Sequence, residues 1–181
     1  IMKKFDCIFL DRDGTINPDS GYINNISDYN FYDFTIPALK IASKNCNRFC
    51  IVTNQSGVAR GLIPINNLNT INKFISEKFS ENSIPLLDIY MCFDLPDNAS
   101  INRKPGPGMF LKAKKEYNLK LSKCLMVGDS ISDMEAGKNL GMETMLVLTG
   151  EGKKTLRDFR YKKSISYFAV NIYEGFKQLC H

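Results

Sequence analysis

Six apolar runs rich in β-branched and aromatic residues alternate along the chain with segments of helical spacing. The runs are Phe5–Leu10, Phe49–Thr53, Ile89–Phe93, Cys124–Val127, Thr144–Leu148 and Tyr167–Val170. Helical spacing is clearest in Leu68–Phe79 and recurs in Ile36–Ala42, Met109–Tyr117 and Asp133–Leu140. Strands that are apolar throughout and alternate with helices are typical of parallel sheets covered on both faces. The sequence therefore predicts an α/β fold with a mostly parallel sheet and helices on both faces.

The size and composition of the chain favour one domain. The chain has 181 residues, of which 44% are hydrophobic and 24% are charged, close to ordinary globular usage. A chain of this length buries roughly 70% of the surface that its unfolded form exposes, so it needs no disulfide or metal in order to fold. We therefore expect residues 1–181 to form a single domain.

Cysteine usage and the start of the chain bear on its compartment. The six cysteines form no CxxC pair, and Cys7, Cys50 and Cys124 lie in predicted strands, where a free thiol acts as a small core residue. The segment Met2–Asp6 contains an acid and runs directly into a strand, unlike a secretory signal. No apolar run approaches the ~18 residues of a membrane span. We expect a cytoplasmic protein with reduced thiols and no membrane partner.

The chain is mildly basic, with a formal net charge of +5. This balance is compatible with a nucleic acid, with an anionic small molecule or with no charged partner. Part of the excess lies in Lys153–Lys163, which we interpret as a solvated surface segment. The sequence lacks the combination of aromatic and basic residues that binds nucleic-acid strands, so we expect no nucleic-acid partner.

Two aspartates, Asp11 and Asp13, follow the first predicted strand in the sequence DRDGTIN. Carboxylates two residues apart at a strand end point the same way, and without a cation they repel each other. A hard cation such as Mg²⁺ removes this conflict and orients a phosphate. A lone Asp-x-Asp is more often a turn or a helix cap, but DxDGT is expected by chance in only about one in a thousand chains of this length.

Polar and basic residues follow two further predicted strands. Thr53 and Asn54 end the second strand, and their hydroxyl and amide groups can bind phosphate oxygens without adding negative charge. Arg103 and Lys104 stand just before a predicted helix. In isolation this basic pair is either a phosphate-binding feature or an ordinary surface pair.

Two more aspartates follow the fourth predicted strand. Asp129 can reach the same cation, while Asp133 can brace the loop or cap the next helix. In parallel sheets of this kind, ligands bind beyond the carboxyl ends of the strands. The motifs are therefore expected to meet at one edge of the sheet.

The order of these motifs resembles the haloacid dehalogenase superfamily of phosphatases. Asp-x-Asp, Thr-Asn, Lys and Gly-Asp-x-x-x-Asp each stand at the end of a successive apolar strand, and the resemblance extends from Phe5 to about Leu179. It implies a Rossmann-like parallel sheet, Mg²⁺ as cofactor and a phospho-aspartyl intermediate.

The resemblance also implies roles for individual residues. Asp11 would be the nucleophile and Asp13 the general acid and base. Thr53 and Lys104 would hold the phosphoryl group. Mg²⁺ would be bound by the carboxylates of Asp11 and Asp129 and by the carbonyl of Asp13, with Asp133 behind them. These roles are chemically consistent, because a carboxylate can attack phosphorus when cations offset the repulsion, and a second acid must protonate the leaving alkoxide.

Finer features are similar to the D-glycero-D-manno-heptose 1,7-bisphosphate 7-phosphatase group. They are DRDGTIN followed by Gly21-Tyr22-Ile23, and NQSGVARG at residues 54–61. The related histidinol-phosphate phosphatases share DRDGT and RKP but match NQSGVARG less well. Neither Asp19–Tyr32 nor Asp94–Asn102 is long enough for a cap domain, so we expect an open site with substrate selection by short loops.

The chain departs from that group at its zinc ligands. Members usually hold zinc with Cys-x-His and a later Cys-x-Cys just before RKP. Here Cys92 is present, but Asp94 stands at the His position. Ser100 and Asn102 stand at the last two Cys positions, and Ser130 replaces a residue that is often basic. Because a structural zinc site needs a closed set of ligands, we expect no zinc.

Two arginines, Arg103 and Arg60, are candidates for binding a second phosphate of the substrate. Since Lys104 is assigned to the transferred phosphoryl group, Arg103 beside it is free to face along the cleft, and Arg60 follows the loop after the second strand. The planar fork of arginine suits a second phosphate. The alternative is that both arginines only cover the surface.

Two classes of function stay open. The first is an Mg²⁺-dependent phosphatase of heptose and lipopolysaccharide metabolism that cleaves the 7-phosphate of D-glycero-D-manno-heptose 1,7-bisphosphate. Within this class, histidinol phosphate or another small phosphomonoester is the alternative substrate. The second class is a non-catalytic basic binding module, against which the intact set of motif aspartates and Lys104 argues. We expect a monomer whose partner is a small sugar phosphate.

Overall fold

A six-stranded sheet lies at the centre of the molecule in a computed structural model that describes residues 4–180. The strands are β1 (Ile8–Leu10), β2 (Phe49–Asn54), β3 (Leu86–Cys92), β4 (Leu125–Gly128), β5 (Glu143–Val147) and β6 (Tyr167–Ala169). Their spatial order is β3-β2-β1-β4-β5-β6, and every neighbouring pair is parallel. The chain leaves β1 toward one edge and returns to its other side at β4. Such a reversal opens a crevice at the carboxyl ends of the strands.

Helices cover both faces of the sheet. They are α1 (Thr35–Ala42), α2 (Ile65–Glu81), α3 (Gly108–Tyr117), α4 (Ile131–Asn139), α5 (Gly152–Asp158) and α6 (Ile172–Gln178). Because strand residues alternate between faces, Ile8 and Leu10 pack into one core with α1, α2 and α6. Phe9 packs into a second core with α3 and α4. The two cores hold the sheet between two helical layers, which confirms the predicted fold class.

The six predicted strands are all present, with shifted ends. β1 begins at Ile8 rather than Phe5, because the chain pairs with both neighbours only from that residue onward. The structure adds α5 and α6, which the sequence analysis did not predict. Leu156 is the one large apolar residue of α5, whereas Ile172, Phe176 and Leu179 do follow a helical spacing in and after α6. The lysines and arginines of Lys153–Lys163 are exposed, in agreement with a solvated segment.

Other expectations from the sequence concern loops and thiols. Residues 19–32 and 94–102 form short loops, and the described residues contain no cap domain. All six cysteines are free, and Cys7, Cys50 and Cys124 are buried in the sheet region as expected. Among residues 4–180, no helix has both the length and the apolar character needed to span a membrane.

Candidate active site

A pocket of about 440 Å³ opens at the carboxyl ends of β1, β2 and β4. Its lining includes Asp11, Asp13, Thr53, Asn54, Lys104 and Asp129. The structure thus brings together six of the residues that the sequence singles out. Asp133 lies directly behind the pocket, against Lys104. Of the described residues that line the pocket, none is Arg60 or Arg103.

Lys104 is the buried cation of this pocket, and its residue is only 4% exposed. Its Nζ donates to Asp11 Oδ1 at 2.7 Å, to Asp133 Oδ1 at 2.6 Å and to the Val52 carbonyl at 2.7 Å. Burial alone lowers the pKa of Lys104, but the two carboxylates outweigh burial and raise that pKa above its usual value. Lys104 is therefore a permanent positive charge beside the strand end.

Asn54 holds the backbone of Lys104. Its Nδ2 donates to the Lys104 carbonyl at 3.1 Å, and the Lys104 N–H donates to Asn54 Oδ1 at 3.0 Å. This reciprocal pair ties the end of β2 to the loop before α3. The sequence places Asn54 among the phosphate-binding residues, whereas in the structure both ends of its amide engage the backbone of Lys104.

Asp133 joins Lys104 to the start of α4 and is completely buried. Ser130 caps this helix: its Oγ accepts from the Asp133 N–H at 3.3 Å, and its own N–H donates to Asp133 Oδ2 at 3.0 Å. Because Oδ1 accepts from Lys104, both carboxylate oxygens of Asp133 are engaged. Asp133 therefore both braces the loop and takes part in the helix cap, the two alternatives left open by the sequence.

The Asp129 carboxylate lies in a narrow cradle of backbone. It accepts from Thr15 Oγ1 at 3.1 Å and from the Glu151 N–H at 2.7 Å. A Cβ atom added to Gly14 or to Gly150 would lie 2.3 or 2.1 Å from Asp129 Oδ2. Both glycines also have positive φ angles, of 84° and 54°. The loops after β1 and β5 can therefore close on this carboxylate only because neither position bears a side chain.

Three carboxylates, those of Asp11, Asp129 and Asp133, lie beside the single ammonium of Lys104, which cannot balance the charge of all three. Oxygens of Asp11, Asp129 and Asp133 lie within 4.8 Å of one another. Burial, and then repulsion from neighbouring carboxylates, raises the pKa of Asp11 to about 6 and that of Asp129 to about 9. Three carboxylates beside one ammonium fit a divalent cation, and oxygen donors suit Mg²⁺. The residues present therefore match the cofactor that the resemblance implies.

Asp13 has different surroundings from Asp11, although the two residues share a strand end. Its carboxylate accepts from Arg12 Nε and Nη2, each at 2.9 Å, from Asn17 Nδ2 at 2.9 Å and from Gln55 Nε2 at 2.8 Å. The sequence analysis assigned Arg12, Asn17 and Gln55 no role at Asp13, although DRDGTIN and the polar segment after the second strand contain them. An arginine between two aspartates at the end of a buried strand was the available signal, but it does not reveal which carboxylate the arginine binds.

The two arginines expected to meet a second phosphate lie outside this lining. Arg103 is half-buried, and its Nη1 donates to the Asp94 carbonyl at 2.8 Å. Arg60 is exposed on the turn that follows β2. The outer wall of the pocket is formed instead by Tyr22 and Ile63. The sequence analysis named Tyr22 only as part of the family resemblance and did not single out Ile63.

Tyr22 and Ile63 meet at Gly57. A Cβ atom added to Gly57 would lie 2.7 Å from both the Tyr22 ring and the end of the Ile63 side chain. The glycine therefore lets the loop after β2 approach the Tyr22 loop closely. Together they give the polar pocket one apolar wall, against which the carbon face of a sugar can pack.

The loop of residues 94–102 contains three of the positions at which the resembled group has zinc ligands. Its own side chains and backbone form hydrogen bonds with each other. Asp94 Oδ2 accepts from the Ser100 N–H at 2.8 Å, and Ser100 Oγ accepts from the Asn102 N–H at 3.1 Å. Cys92 is buried at the end of β3. Side-chain oxygens of Asp94 and Ser100 thus accept bonds from the backbone of this loop.

Comparison with known proteins identifies the class. Residues 101–174 match a family model described as HAD-hydrolase-like. The structure superposes with a TM-score of 0.88 on D,D-heptose 1,7-bisphosphate phosphatase from B. bronchiseptica, solved with magnesium and phosphate. The two are 29% identical, and the match covers 97% of this chain and 98% of the other. The protein is a haloacid dehalogenase-like hydrolase.

Sequence similarity to curated relatives identifies the family within this class. The chain is 37% identical to the D-glycero-beta-D-manno-heptose-1,7-bisphosphate 7-phosphatase of Yersinia pestis over 83% of this chain and 85% of the relative. It is 34% identical to the D-glycero-alpha-D-manno-heptose-1,7-bisphosphate 7-phosphatase of Campylobacter jejuni over 91% of this chain and 96% of the relative. The chain belongs to the D-glycero-D-manno-heptose-1,7-bisphosphate 7-phosphatase family.

Mg²⁺ is expected to stabilise the protein more at pH 8 than at pH 6. Folding raises the pKa of Asp129 from 3.8 to about 9, so the metal-free folded state binds the extra proton between these values. Its free energy of unfolding therefore falls as the pH rises through this window, and a cation that replaces the proton restores it. We expect saturating Mg²⁺ to raise the melting temperature by about 5–10 °C at pH 8.

Differential scanning calorimetry at the two pH values measures this effect. Asp129→Asn, which has no charge to neutralise, is the matched variant and should lose the difference between pH 6 and pH 8. Equal Mg²⁺-induced shifts at both pH values in the unchanged protein would contradict the assignment of a charge-bearing cation site.

The purified protein is expected to contain no stoichiometric zinc. Asp94, Ser100 and Asn102 replace three of the ligands of the resembled group, and Asp94 and Ser100 already accept bonds from the loop backbone. Elemental analysis by mass spectrometry measures the zinc content, and a zinc-selective chelator should leave the melting temperature unchanged. About one zinc per chain would refute this prediction.

Proposed function

We propose that the protein is an Mg²⁺-dependent phosphatase that hydrolyses the 7-phosphate of D-glycero-D-manno-heptose 1,7-bisphosphate. The observation that carries the proposal is the buried ion pair of Lys104 with Asp11, next to Asp129, in a pocket at the carboxyl ends of the strands. This pair sets a carboxylate nucleophile beside a buried positive charge that can offset the charge of an incoming phosphate. A single domain of residues 1–181 would hold the whole site.

Asp11 supplies the nucleophile. One of its oxygens attacks phosphorus, the bond between phosphorus and the sugar oxygen breaks, and the electron pair of that bond stays on the sugar oxygen. Lys104 lies 2.7 Å from Asp11 Oδ1 and offsets the repulsion between the carboxylate and the incoming phosphate. The step leaves the phosphoryl group on Asp11 and releases the sugar alcohol.

Asp13 carries the proton in both steps. In the first step it gives a proton to the departing sugar oxygen. In the second step its carboxylate takes a proton from water, whose oxygen attacks phosphorus and breaks the bond to Asp11. Inorganic phosphate leaves, and both Asp11 and the protonated Asp13 are restored.

Other groups of the pocket would hold the phosphoryl oxygens. Mg²⁺, bound by the Asp11 and Asp129 carboxylates and the Asp13 carbonyl, would supply positive charge to these oxygens. Thr53 Oγ1 accepts from Gln55 Nε2 at 2.8 Å, so the Thr53 hydroxyl keeps its own proton for donation to the phosphoryl group. Tyr22 would pack against the sugar.

Asp11→Asn should abolish turnover, while Asp13→Asn should reduce kcat by about 10²–10⁴-fold, the usual contribution of general acid–base catalysis. An amide cannot form the acyl phosphate, and an amide at position 13 cannot transfer the proton. Release of phosphate from p-nitrophenyl phosphate and from the heptose bisphosphate, each with and without Mg²⁺, measures both effects. Wild-type activity of a folded Asp11→Asn variant would refute the mechanism, and no turnover by the unchanged protein would favour the non-catalytic binding module.

We also propose that Arg103, with Arg60, recognises the second phosphate of the substrate. Arg103 adjoins Lys104 in sequence, and a single bond to the Asp94 carbonyl holds its guanidinium. A guanidinium bound at one nitrogen can still present its other N–H groups to a phosphate. Arg60 lies on the exposed turn after β2, on the same side of the sheet as the pocket.

Arg103→Ala should lower kcat/KM for the heptose bisphosphate by roughly ten- to a hundredfold, the loss expected for a charge-assisted hydrogen bond. The same variant should leave p-nitrophenyl phosphate, which has one phosphate, almost unaffected. Lys112→Ala, which removes an exposed cation on α3, is the matched control for net charge. Equal losses on both substrates would place Arg103 at the transferred phosphate. No loss on either would favour histidinol phosphate or another monophosphate.

We further propose that the enzyme acts as a monomer in the cytoplasm. Its six free thiols are compatible with a reducing compartment. The residues that the proposed mechanism uses all belong to one chain.

A further inference from the structure

We propose that Arg12, Asn17 and Tyr29 are positioning residues that hold the carboxylate of Asp13 in the orientation for proton transfer. The inference rests on the proposed function, because it takes Asp13 as the acid and base. Among the described residues that line the pocket, none of these three occurs. They therefore act on the substrate through Asp13.

Arg12 fixes the plane of the carboxylate. Its side chain is 1% exposed, and its Nε and Nη2 donate in parallel to Asp13 Oδ1 and Oδ2, each at 2.9 Å. Two bonds from one planar guanidinium to both oxygens leave the carboxylate a single rotational setting. The Asp13 side chain is 19% exposed and lines the pocket, where Gln55 Nε2 also donates to its Oδ2 at 2.8 Å.

Tyr29 contacts both Asn17 and Arg12, and its hydroxyl orients the Asn17 amide. Its hydroxyl donates to Asn17 Oδ1 at 3.1 Å, so the other end of the same amide, Nδ2, donates to Asp13 Oδ1 at 2.9 Å. Burial raises the pKa of the Tyr29 hydroxyl, which keeps it protonated as a donor. The Tyr29 ring also lies 5.7 Å from the guanidinium carbon of Arg12. Tyr29 thus contacts two of the three side chains that donate to Asp13, and Gln55 is the third.

Stability alone does not account for this arrangement. Arg12 Nη1 is buried and has no hydrogen-bond partner among residues 4–180. Burying a cation with an unpaired donor costs free energy, and an apolar side chain would fill the same space without that cost. Arg12 is therefore better explained by its parallel bonds to the Asp13 carboxylate than by the burial of its side chain.

The dependence of rate on leaving group separates positioning from a structural role. As the phosphorus–oxygen bond breaks, the proton of Asp13 moves to the leaving oxygen. A basic leaving group needs this proton early, whereas a stabilised phenolate departs without it. A misaligned Asp13 should therefore slow esters of weakly acidic alcohols and phenols more than esters of acidic phenols. The value of kcat/KM reports this first step alone, since it is unaffected by hydrolysis of the phosphoryl-Asp11 intermediate.

The test compares phenyl phosphate with 2,4-dinitrophenyl phosphate in the presence of Mg²⁺. Tyr29→Phe removes one hydroxyl, and Arg12→Lys keeps the charge but loses the parallel pair of bonds. We expect kcat/KM of both variants to fall about tenfold or more on phenyl phosphate and to stay within about twofold on the dinitrophenyl ester. Tyr161→Phe, which changes an exposed tyrosine, is the matched control and should behave as the wild type on both esters.

The outcomes distinguish this inference from the proposed function. If the wild type cleaves neither ester, the proposed function fails. If the wild type cleaves both and folded Tyr29→Phe and Arg12→Lys variants lose equal activity on both esters, or lose none, the positioning role is overturned. Circular dichroism and the melting temperature establish folding, and Tyr29→Phe keeps the test valid should Arg12→Lys fail to fold.

Discussion

A buried ammonium between two buried carboxylates is the interaction on which the rest of the site depends. Lys104 meets Asp11 from the end of β1 and Asp133 from α4, and its third proton meets the carbonyl of Val52 in β2. Buried charges of this kind persist only when each is paired. Because the three partners belong to different strand–loop junctions, the ion pairs hold those junctions in one geometry. The charged form of Asp129 is disfavoured beside these carboxylates, since burial and their repulsion raise its pKa to about 9, and a divalent cation would offset this penalty.

Contacts with the backbone fix the positions of these charged side chains. Asn54 holds both the N–H and the carbonyl of Lys104, and Ser130 shares a reciprocal cap with Asp133. Gly14 and Gly150 allow two loops to close on Asp129, where any Cβ atom would overlap the carboxylate. Side chains held by backbone on rigid junctions lose little freedom when a ligand binds, which is the condition for strong transition-state electrostatics.

The sequence predicts the strands and their terminal motifs well, because both are local. An apolar run and the acid that follows it are adjacent in the chain, and the parallel sheet brings successive strand ends to one edge. Helix α5 escapes prediction, since its one large apolar residue gives no period, whereas α6 was missed although Ile172, Phe176 and Leu179 recur at helical spacing. The contact of Tyr29 with Arg12 and Asn17 also escapes it, because aromatic residues are common in any core and only the folded chain shows which polar groups one reaches. For Asn54, the residue was identified but its backbone contacts were not.

Asp11 and Asp13 show how one strand end provides two kinds of carboxylate. Their side chains stand two residues apart, yet Asp11 contacts the ammonium of Lys104, whereas Asp13 contacts the guanidinium of Arg12 and two amides. The ammonium of Lys104 contacts one oxygen of Asp11, so the other oxygen would be open to attack phosphorus in the proposed mechanism. The planar guanidinium of Arg12 and the two amides set the orientation of the Asp13 carboxylate. Carboxylates of the same chemistry acquire distinct roles when their surroundings differ in this way. In the proposed mechanism, the division between nucleophile and proton carrier would follow from which cation each aspartate meets, and Arg12, between them in the chain, would be part of that division.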